Sequence, residues 1–161
     1  MANITSVSDK REIGINSFFS KVGFYISLLK PRVMSLSIFT SFVGMIIAPG
    51  FITIYEGALI ILAISIGSGA SGALNMWYER KTDLLMERTK NRVLPMGLIN
   101  SNGALIYGIT LSVFSIYLLY YVANFLSASI LLVTILYYIF VYTVWLKKRT
   151  PQNIVIGGAA G

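Results

Sequence analysis

Three side chains that could hold a metal ion recur at four-residue intervals in the middle of the chain: Asn75, Glu79 and Asp83. If the segment is helical, this spacing places them on one face, and each step rises about 6 Å along the axis. Amide and carboxylate oxygens are hard ligands that suit Mg²⁺, which takes one or two carboxylates and keeps water and phosphate oxygens as its other ligands. The spacing therefore predicts that these three residues form a catalytic row of oxygens that binds Mg²⁺.

Basic residues surround this row and narrow the chemistry that it could support. The segment 71–95 holds five of the thirteen Lys and Arg residues of the chain: Arg80, Lys81, Arg88, Lys90 and Arg92. Since a guanidinium group can bind phosphate through two parallel hydrogen bonds, the segment fits a Mg²⁺–diphosphate clamp better than an acid–base pair. These 161 residues contain no histidine and no cysteine, so neither imidazole nor thiolate takes part in their chemistry. Mixed charge is also typical of a solvent-exposed loop, and this alternative stays open.

The composition is that of a membrane protein. Of the 161 residues, 56% are hydrophobic and 12% are charged, with a mean hydropathy of +0.75, which lies outside the usual range of soluble domains. We therefore predict an all-α, polytopic membrane helical bundle with four transmembrane helices and the start of a fifth near residue 154. The predicted spans are 33–49, 57–75, 103–121 and 126–146, with a charged loop over 76–100. The net charge of +7 indicates contact with the lipid bilayer and not with nucleic acid.

The Lys and Arg residues are confined to alternate connections between the predicted spans. Five lie in residues 1–32, five in the loop 76–100 and three directly after the fourth span. Because short cytoplasmic loops carry an excess of basic residues, we predict that the N-terminus and the loops 76–100 and 147–153 face the cytoplasm or the mitochondrial matrix. Residues 1–23 are predicted to be a cytoplasmic tail and the start of an interfacial helix, without the layout of a signal peptide, and 24–161 the membrane domain.

A run of small residues, GSGASGA at 67–73, lies at the end of the second predicted span. Small residues at intervals of three or four let helix backbones approach closely within lipid. A glycine-rich run could also cradle a phosphate, but this one lies inside an apolar segment and lacks the spacing of the known nucleotide-binding loops. Helix packing is therefore the favoured interpretation.

Three blocks of the sequence resemble the UbiA-type intramembrane prenyltransferases. They are LLKPRVM at 28–34, GALNMWYE at 72–79 with Asp83 after it, and YTVWLKKRTPQNIVIGGAAG at 142–161. More narrowly, these blocks resemble the haem-farnesylating branch of the family, over nearly everything after Leu28. The family pattern has Asp where this chain has Glu79 and Pro where it has Val93. The first change keeps a carboxylate ligand, and the second alters the rigidity of a loop.

The resemblance implies transfer of the farnesyl group of farnesyl diphosphate to a vinyl group of haem B, which gives haem O. It implies that Asn75, Glu79 and Asp83 hold Mg²⁺ against the diphosphate. Further contacts to the diphosphate are expected from basic and tyrosine side chains: Arg32, Arg88, Arg92, Tyr142 and Lys147. Four aromatic residues could face the allylic cation or could simply serve packing: Phe39, Trp77, Tyr137 and Tyr138.

The resemblance also bears on the membrane and on partners. It implies the bacterial inner membrane or the mitochondrial inner membrane, and possible partners are haem A synthase or oxidase assembly factors. Members of the family carry a second acidic motif and a Pro-His segment, which these 161 residues lack. We therefore expect the chain to correspond to the N-terminal half of such an enzyme and to be inactive by itself.

Two alternatives remain open at the level of the sequence. The acceptor could be an aromatic quinone precursor, which would keep the reaction class. The chain could otherwise be a non-catalytic membrane protein, such as an assembly subunit or a transporter half. The polar residues of its predicted spans are mostly Ser, Thr and Gly, which weighs against the buried ionisable sites of a transporter.

Overall fold

The computed structural model describes residues 19–150 and 152–159, and every regular element within these ranges is helical. The first eighteen residues of the predicted cytoplasmic tail lie outside the described residues. Among the described residues, three helices are long and apolar enough to cross a membrane, or four if one bent pair of helices counts as a single span. The predicted all-α membrane bundle is thereby confirmed.

The bent pair consists of α1 (Phe19–Leu28) and α2 (Pro31–Ile47), whose axes differ by 58°. α2 has only 17 residues, short of the roughly 20 that cross a bilayer. Pro31 occupies the first turn of α2, where its missing N–H costs nothing. Lys30, at the bend, has φ 52° and ψ 60°, a left-handed conformation that is uncommon for a residue other than glycine. The break therefore lies at one residue with an unusual backbone.

The longest helix, α3 (Ile54–Asp83), has 30 residues and begins with a capping box in which Thr53 and Glu56 bind each other's backbone N–H groups. At 1.5 Å per residue it is about 45 Å long, more than the hydrocarbon core of a bilayer. It continues past residue 75, where the predicted span ended, so the first part of the predicted loop 76–100 is helical. Asn75, Glu79 and Asp83 therefore lie on a rigid helix end and not on a loop.

Two further long helical segments complete the bundle. α4 (Ser101–Val122) begins after Asn100, and α5 (Phe125–Leu136) begins after Asn124, and each asparagine side chain accepts a backbone N–H of its helix. α5 continues without a break into a π-helical segment (Tyr137–Trp145) and one 3₁₀ turn (Leu146–Lys148). A short helix, α6 (Asn153–Gly158), follows. The π-helical segment widens the helix just where it comes alongside the end of α3.

Glycines bring α3 close to its neighbours. A Cβ added to Gly108 of α4 would lie 2.7 Å from the Leu74 side chain, and one added to Gly67 would lie 3.0 Å from Leu131 and from Ser115. Gly69 and Gly72 pack in the same way against Leu29, beside the bend. The small-residue run 67–73 therefore serves close helix packing.

Candidate functional site

The predicted row of oxygens lies on one buried face at the C-terminal end of α3. Asn75 is 1% exposed, Glu79 9% and Asp83 3%. The four-residue spacing produces this common face because α3 continues through Asp83. Polar groups taken out of water need partners, and each of the three has one.

Each residue of the row is paired with a different basic side chain. Lys30 Nζ donates to Asn75 Oδ1 at 2.5 Å. Lys147 Nζ lies 2.5 Å from Glu79 Oε1 and 2.6 Å from Oε2. Arg92 Nη1 donates to Asp83 Oδ2 at 2.8 Å. Three ammonium or guanidinium groups from three separate segments thus converge on one amide and two carboxylates, and the six side chains carry a formal charge of +1.

The bend between α1 and α2 directs Lys30 to this site. The left-handed backbone of Lys30 costs on the order of 1–3 kcal/mol and persists only where the surroundings impose it. The neighbouring Leu28 is fully buried against Ala73 and Met76 of α3, which fixes the approach of this segment. The sequence predicted Arg32 and not Lys30 for this site, but Arg32 is exposed on the first turn of α2. The pair Lys30-Pro31 could have indicated a break in the helix at Lys30, because a residue before proline is disfavoured in the right-handed helical region.

The turn after α3 supplies Arg92. Thr89, buried to 3% exposure, donates its hydroxyl to the carbonyl oxygen of Asp83 at 3.0 Å, which satisfies an unpaired carbonyl at the helix end. The Arg92 N–H then donates to the Thr89 carbonyl oxygen, and the chain returns toward α3. Arg92 therefore forms an ion pair with Asp83, although the sequence predicted Arg92 only as a ligand of the diphosphate. Arg88 lies on the exposed outer side of the same turn.

Arg32 and Arg88 do not join the cluster. Both are exposed, and neither makes a side-chain hydrogen bond or ion pair with any residue in the described ranges. The structure therefore brings Arg92 and Lys147 of the predicted diphosphate ligands to the row of oxygens, together with Lys30.

The π-helical segment and the turn after it bring two side chains to α3. Thr143 Oγ1 accepts a hydrogen bond from Asn75 Nδ2 at 2.9 Å, and Lys147 pairs with Glu79. Both contacts join residues 68 positions apart, which means that the two helices run parallel here. Thr143 is 1% exposed and was not predicted, because a threonine within an apolar run gives no sign of a partner so far along the chain.

Tyr142 lies beside the site without contacting the row of oxygens. Its ring stacks on that of Tyr138 with centroids 5.0 Å apart. On its other side Gly157 of α6 comes so close that an added Cβ would overlap the ring. Tyr137 donates its hydroxyl to the carbonyl oxygen of Ile156 at 3.0 Å, which ties α6 to the same segment.

An apolar cavity of about 840 Å³ extends from Lys30 between α2, α3 and α5. One face of each of these helices lines the cavity, and the lining residues include Met34, Ser37, Ile64, Leu131 and Tyr138. The end of the cavity farthest from Lys30 is lined by Phe51 and Glu56. Of the four aromatic residues proposed to face a cation, Tyr138 lines the cavity, whereas Phe39 is 62% exposed and Trp77 packs beneath Arg80. Of the six side chains of the cluster, Lys30 lines the cavity, so the cluster adjoins one end of the cavity through Lys30.

The donor set of the site fits a magnesium ion bound together with a phosphate ligand. Within the described residues, no three carboxylate, thiol or imidazole groups come together as a self-sufficient metal site. The two carboxylates and the amide oxygen recur about 6 Å apart along α3, and Mg²⁺ typically takes one or two such oxygens while substrate phosphates and water complete its coordination. The three basic side chains supply the complement for those phosphates.

These features together are those of an intramembrane prenyltransferase, and the chain belongs to the UbiA prenyltransferase family, whose model matches residues 37–161. Three similar proteins are each named protoheme IX farnesyltransferase. The protein of Pelagibacter ubique is 60% identical over 134 residues, which is 83% of this chain and 44% of that protein. The protein of Brucella anthropi is 55% identical over 137 residues, which is 85% of this chain and 44% of that protein. The protein of Agrobacterium fabrum is 50% identical over 161 residues, which is 98% of this chain and 51% of that protein.

The chain thus spans about half the length of the curated relatives that it matches. No solved structure matches it.

Proposed function

We propose that this chain forms the diphosphate-binding part of an enzyme that transfers the farnesyl group of farnesyl diphosphate to haem B and makes haem O. One observation carries the proposal: the paired cluster of Lys30, Arg92 and Lys147 with Asn75, Asp83 and Glu79, which adjoins an apolar cavity through Lys30. The names of the similar proteins support this choice of donor and acceptor. The cluster suits the charged end of the donor, and the cavity suits its hydrocarbon end.

Binding of the diphosphate exchanges partners within the cluster. Its oxygens carry more negative charge than an amide or a single carboxylate, so Lys30, Arg92 and Lys147 turn their N–H groups from the row of oxygens to the ligand. Asn75, Glu79 and Asp83 are then free to hold Mg²⁺. When bound, Mg²⁺ supplies positive charge that stabilises the departing diphosphate. The three basic side chains would supply further positive charge to the diphosphate, since negative charge grows on its oxygens as the bond breaks.

The reaction breaks the bond between the allylic carbon and the diphosphate oxygen. The allylic carbon forms a new bond to the terminal carbon of a haem vinyl group, water adds to the other vinyl carbon, and one proton is released with the diphosphate. The apolar walls around Ile64 and Leu131 exclude water from the allylic cation before it meets the vinyl group. The ring of Tyr138 faces the same cavity and can stabilise the cation through its π electrons.

We further propose that the site opens toward the cytoplasm or the mitochondrial matrix. All thirteen Lys and Arg residues lie in residues 1–32, in 76–100 and in 147–149, which are alternate connections of the bundle. The membrane would be a bacterial or mitochondrial inner membrane. An aromatic quinone precursor is the alternative acceptor, because the described cluster addresses only the donor.

The test is to join residues 1–161 to the part of the Agrobacterium fabrum relative that follows its matched region. This joined protein is expressed in cells that lack their own haem-farnesylating enzyme, and haem O is measured by chromatography. We expect haem O from the joined protein, and none from residues 1–161 alone although they reach the membrane fraction. Prenylation of 4-hydroxybenzoate without any haem O would replace the proposed acceptor, and no product from either acceptor would contradict the proposal.

A further inference from the structure

Thr143 is almost completely buried, at 1% exposure, where the π-helical segment meets α3. Its hydroxyl donates to the carbonyl oxygen of Tyr138 at 2.8 Å and accepts from Asn75 Nδ2 at 2.9 Å. A threonine hydroxyl has a single hydrogen to donate. Because Tyr138 receives that hydrogen, only a donor can face Thr143 from the Asn75 amide.

The two ends of the Asn75 amide are chemically opposite. Its NH₂ group donates and its oxygen accepts, and a rotation by 180° exchanges them with little change in shape. In the observed orientation the NH₂ group faces Thr143 and Oδ1 faces Lys30 at 2.5 Å. The rotated amide would place an oxygen against the Thr143 oxygen and an NH₂ group against an ammonium group, so both contacts would become repulsive.

We infer that Thr143 is a positioning residue that fixes which end of the Asn75 amide faces the ligand. This inference rests on the proposed function, since it concerns the cation and diphosphate of that site. With Oδ1 held outward, Asn75 can coordinate Mg²⁺ once Lys30 has moved to the diphosphate. With the NH₂ group outward, Asn75 would direct hydrogen atoms at the cation and could not coordinate it.

The π-helical segment makes this arrangement possible. In an α-helix a threonine hydroxyl reaches the carbonyl oxygen three or four residues earlier, but Thr143 reaches that of Tyr138, five residues earlier. The wider turn thus supplies the acceptor that uses the hydroxyl hydrogen. π-helical turns are frequent at functional sites, and here the turn sets the polarity of one hydroxyl group.

The experiment compares Thr143→Val with Thr143→Ser in the joined protein described above. Valine keeps the shape and loses the hydroxyl, whereas serine keeps the hydroxyl. Binding of the Mg²⁺ complex of inorganic diphosphate is measured by calorimetry, and the Mg²⁺ concentration for half-maximal rate is measured separately from kcat. For Thr143→Val we expect binding about tenfold weaker and a similarly raised Mg²⁺ requirement, because one hydrogen bond that sets the amide is lost. Thr143→Ser should stay near the starting values.

The matched control is Ser115→Ala, which removes another fully buried hydroxyl whose hydrogen bond is to the backbone of its own helix at 2.9 Å. It should leave binding of the diphosphate complex unchanged. A double-mutant cycle separates positioning from a general structural effect. In an Asn75→Asp background both ends of the side chain are oxygens, so its orientation no longer matters and Thr143→Val should not weaken binding further.

An equal loss from Thr143→Val with and without the Asn75→Asp substitution would overturn the inference, and so would unchanged binding by Thr143→Val. If Asn75→Asp alone prevents binding, the comparison of Thr143→Ser with Thr143→Val tests the inference. Equal affinities of these two variants for the Mg²⁺–diphosphate complex would overturn it. Failure of the unsubstituted joined protein to bind the Mg²⁺–diphosphate complex would instead contradict the proposed function.

Discussion

Lys147 Nζ lies within 2.6 Å of both carboxylate oxygens of Glu79, although 68 residues separate the two side chains along the chain. Glu79 is buried on α3, while the Lys147 side chain remains 38% exposed. Because the Lys147 side chain is partly exposed, it can leave the carboxylate for an arriving ligand. This pair holds two helices together in the resting site and is also available to substrate, and its two roles can be separated by mutation.

The first prediction concerns this separation. Lys147→Met leaves the Glu79 carboxylate buried without its cation and should destabilise the protein by about 1–3 kcal/mol, given the partial exposure of the lysine. The double variant Glu79→Gln with Lys147→Met should recover much of that stability because no unpaired charge remains. Neither variant should make haem O at more than a small fraction of the normal rate. Thermal unfolding in detergent and haem O formation provide the two readouts, and full activity in the stable double variant would contradict the clamp.

The second prediction concerns the carboxylates as ligands. Asp83→Ala removes an oxygen of the row and leaves Arg92 without its partner, so haem O formation by the joined protein should fall below detection while membrane insertion is retained. Glu79→Asp keeps a hard carboxylate oxygen and should retain activity within about tenfold, since one lost methylene shortens its reach without changing its charge. Membrane fractionation and chromatography of haem O measure both effects. Normal activity of Asp83→Ala would exclude Asp83 as a ligand of the metal ion.

The third prediction compares two basic residues that are neighbours in the sequence. Lys30 is directed into the site and contacts Asn75, whereas Arg32 is exposed on α2. Lys30→Ala should weaken binding of Mg²⁺–diphosphate by at least about tenfold, because a charge-assisted hydrogen bond is lost. Arg32→Ala is the matched control and should change it by less than a factor of about three, as an exposed charge contributes little. If calorimetry showed a larger loss of affinity for Arg32→Ala than for Lys30→Ala, Arg32 and not Lys30 would be the diphosphate ligand.

The fourth prediction concerns the order of binding. In the resting site all three prospective metal ligands are engaged by cations, and like charges repel an arriving divalent ion. Equilibrium dialysis with radioactive Mn²⁺ should therefore show little binding to the protein alone. Adding unreactive farnesyl thiodiphosphate should increase the protein-bound Mn²⁺ by about tenfold or more, since the diphosphate draws the basic groups away. Equal binding with and without the analogue would show that the ion pairs do not block the metal.

The sequence indicated the parts of this site that depend on local spacing. The membrane bundle and the family followed from composition and from three sequence blocks, and both are confirmed. The common face of Asn75, Glu79 and Asp83 followed from helical periodicity, because a spacing of four needs only a continuous helix. Their roles as metal ligands, and those of the basic residues and Tyr142, stay predictions.

Other parts could not be derived from spacing, because they depend on contacts between distant segments. Lys30 enters the site through one left-handed backbone conformation at a helix bend. Thr143 meets Asn75 because α5 widens into a π-helical segment, and nothing in an apolar run such as YYIFVYTVW signals that change. The helix boundary at Asp83 was missed for a related reason. The charged residues after position 75 suggested a loop, but tertiary contacts bury their polar face.

The shared separation of 68 residues in the Asn75–Thr143 and Glu79–Lys147 contacts has a mechanical consequence. Two contacts with the same sequence separation join the parallel helices, so an axial shift of one helix displaces both contacts by the same distance. Sliding by one helical turn, about 5.4 Å, would disengage both at once. An axial slide of one helix past the other would therefore break the amide–hydroxyl contact and the ion pair together, whereas movement of the Lys147 side chain alone breaks only the ion pair.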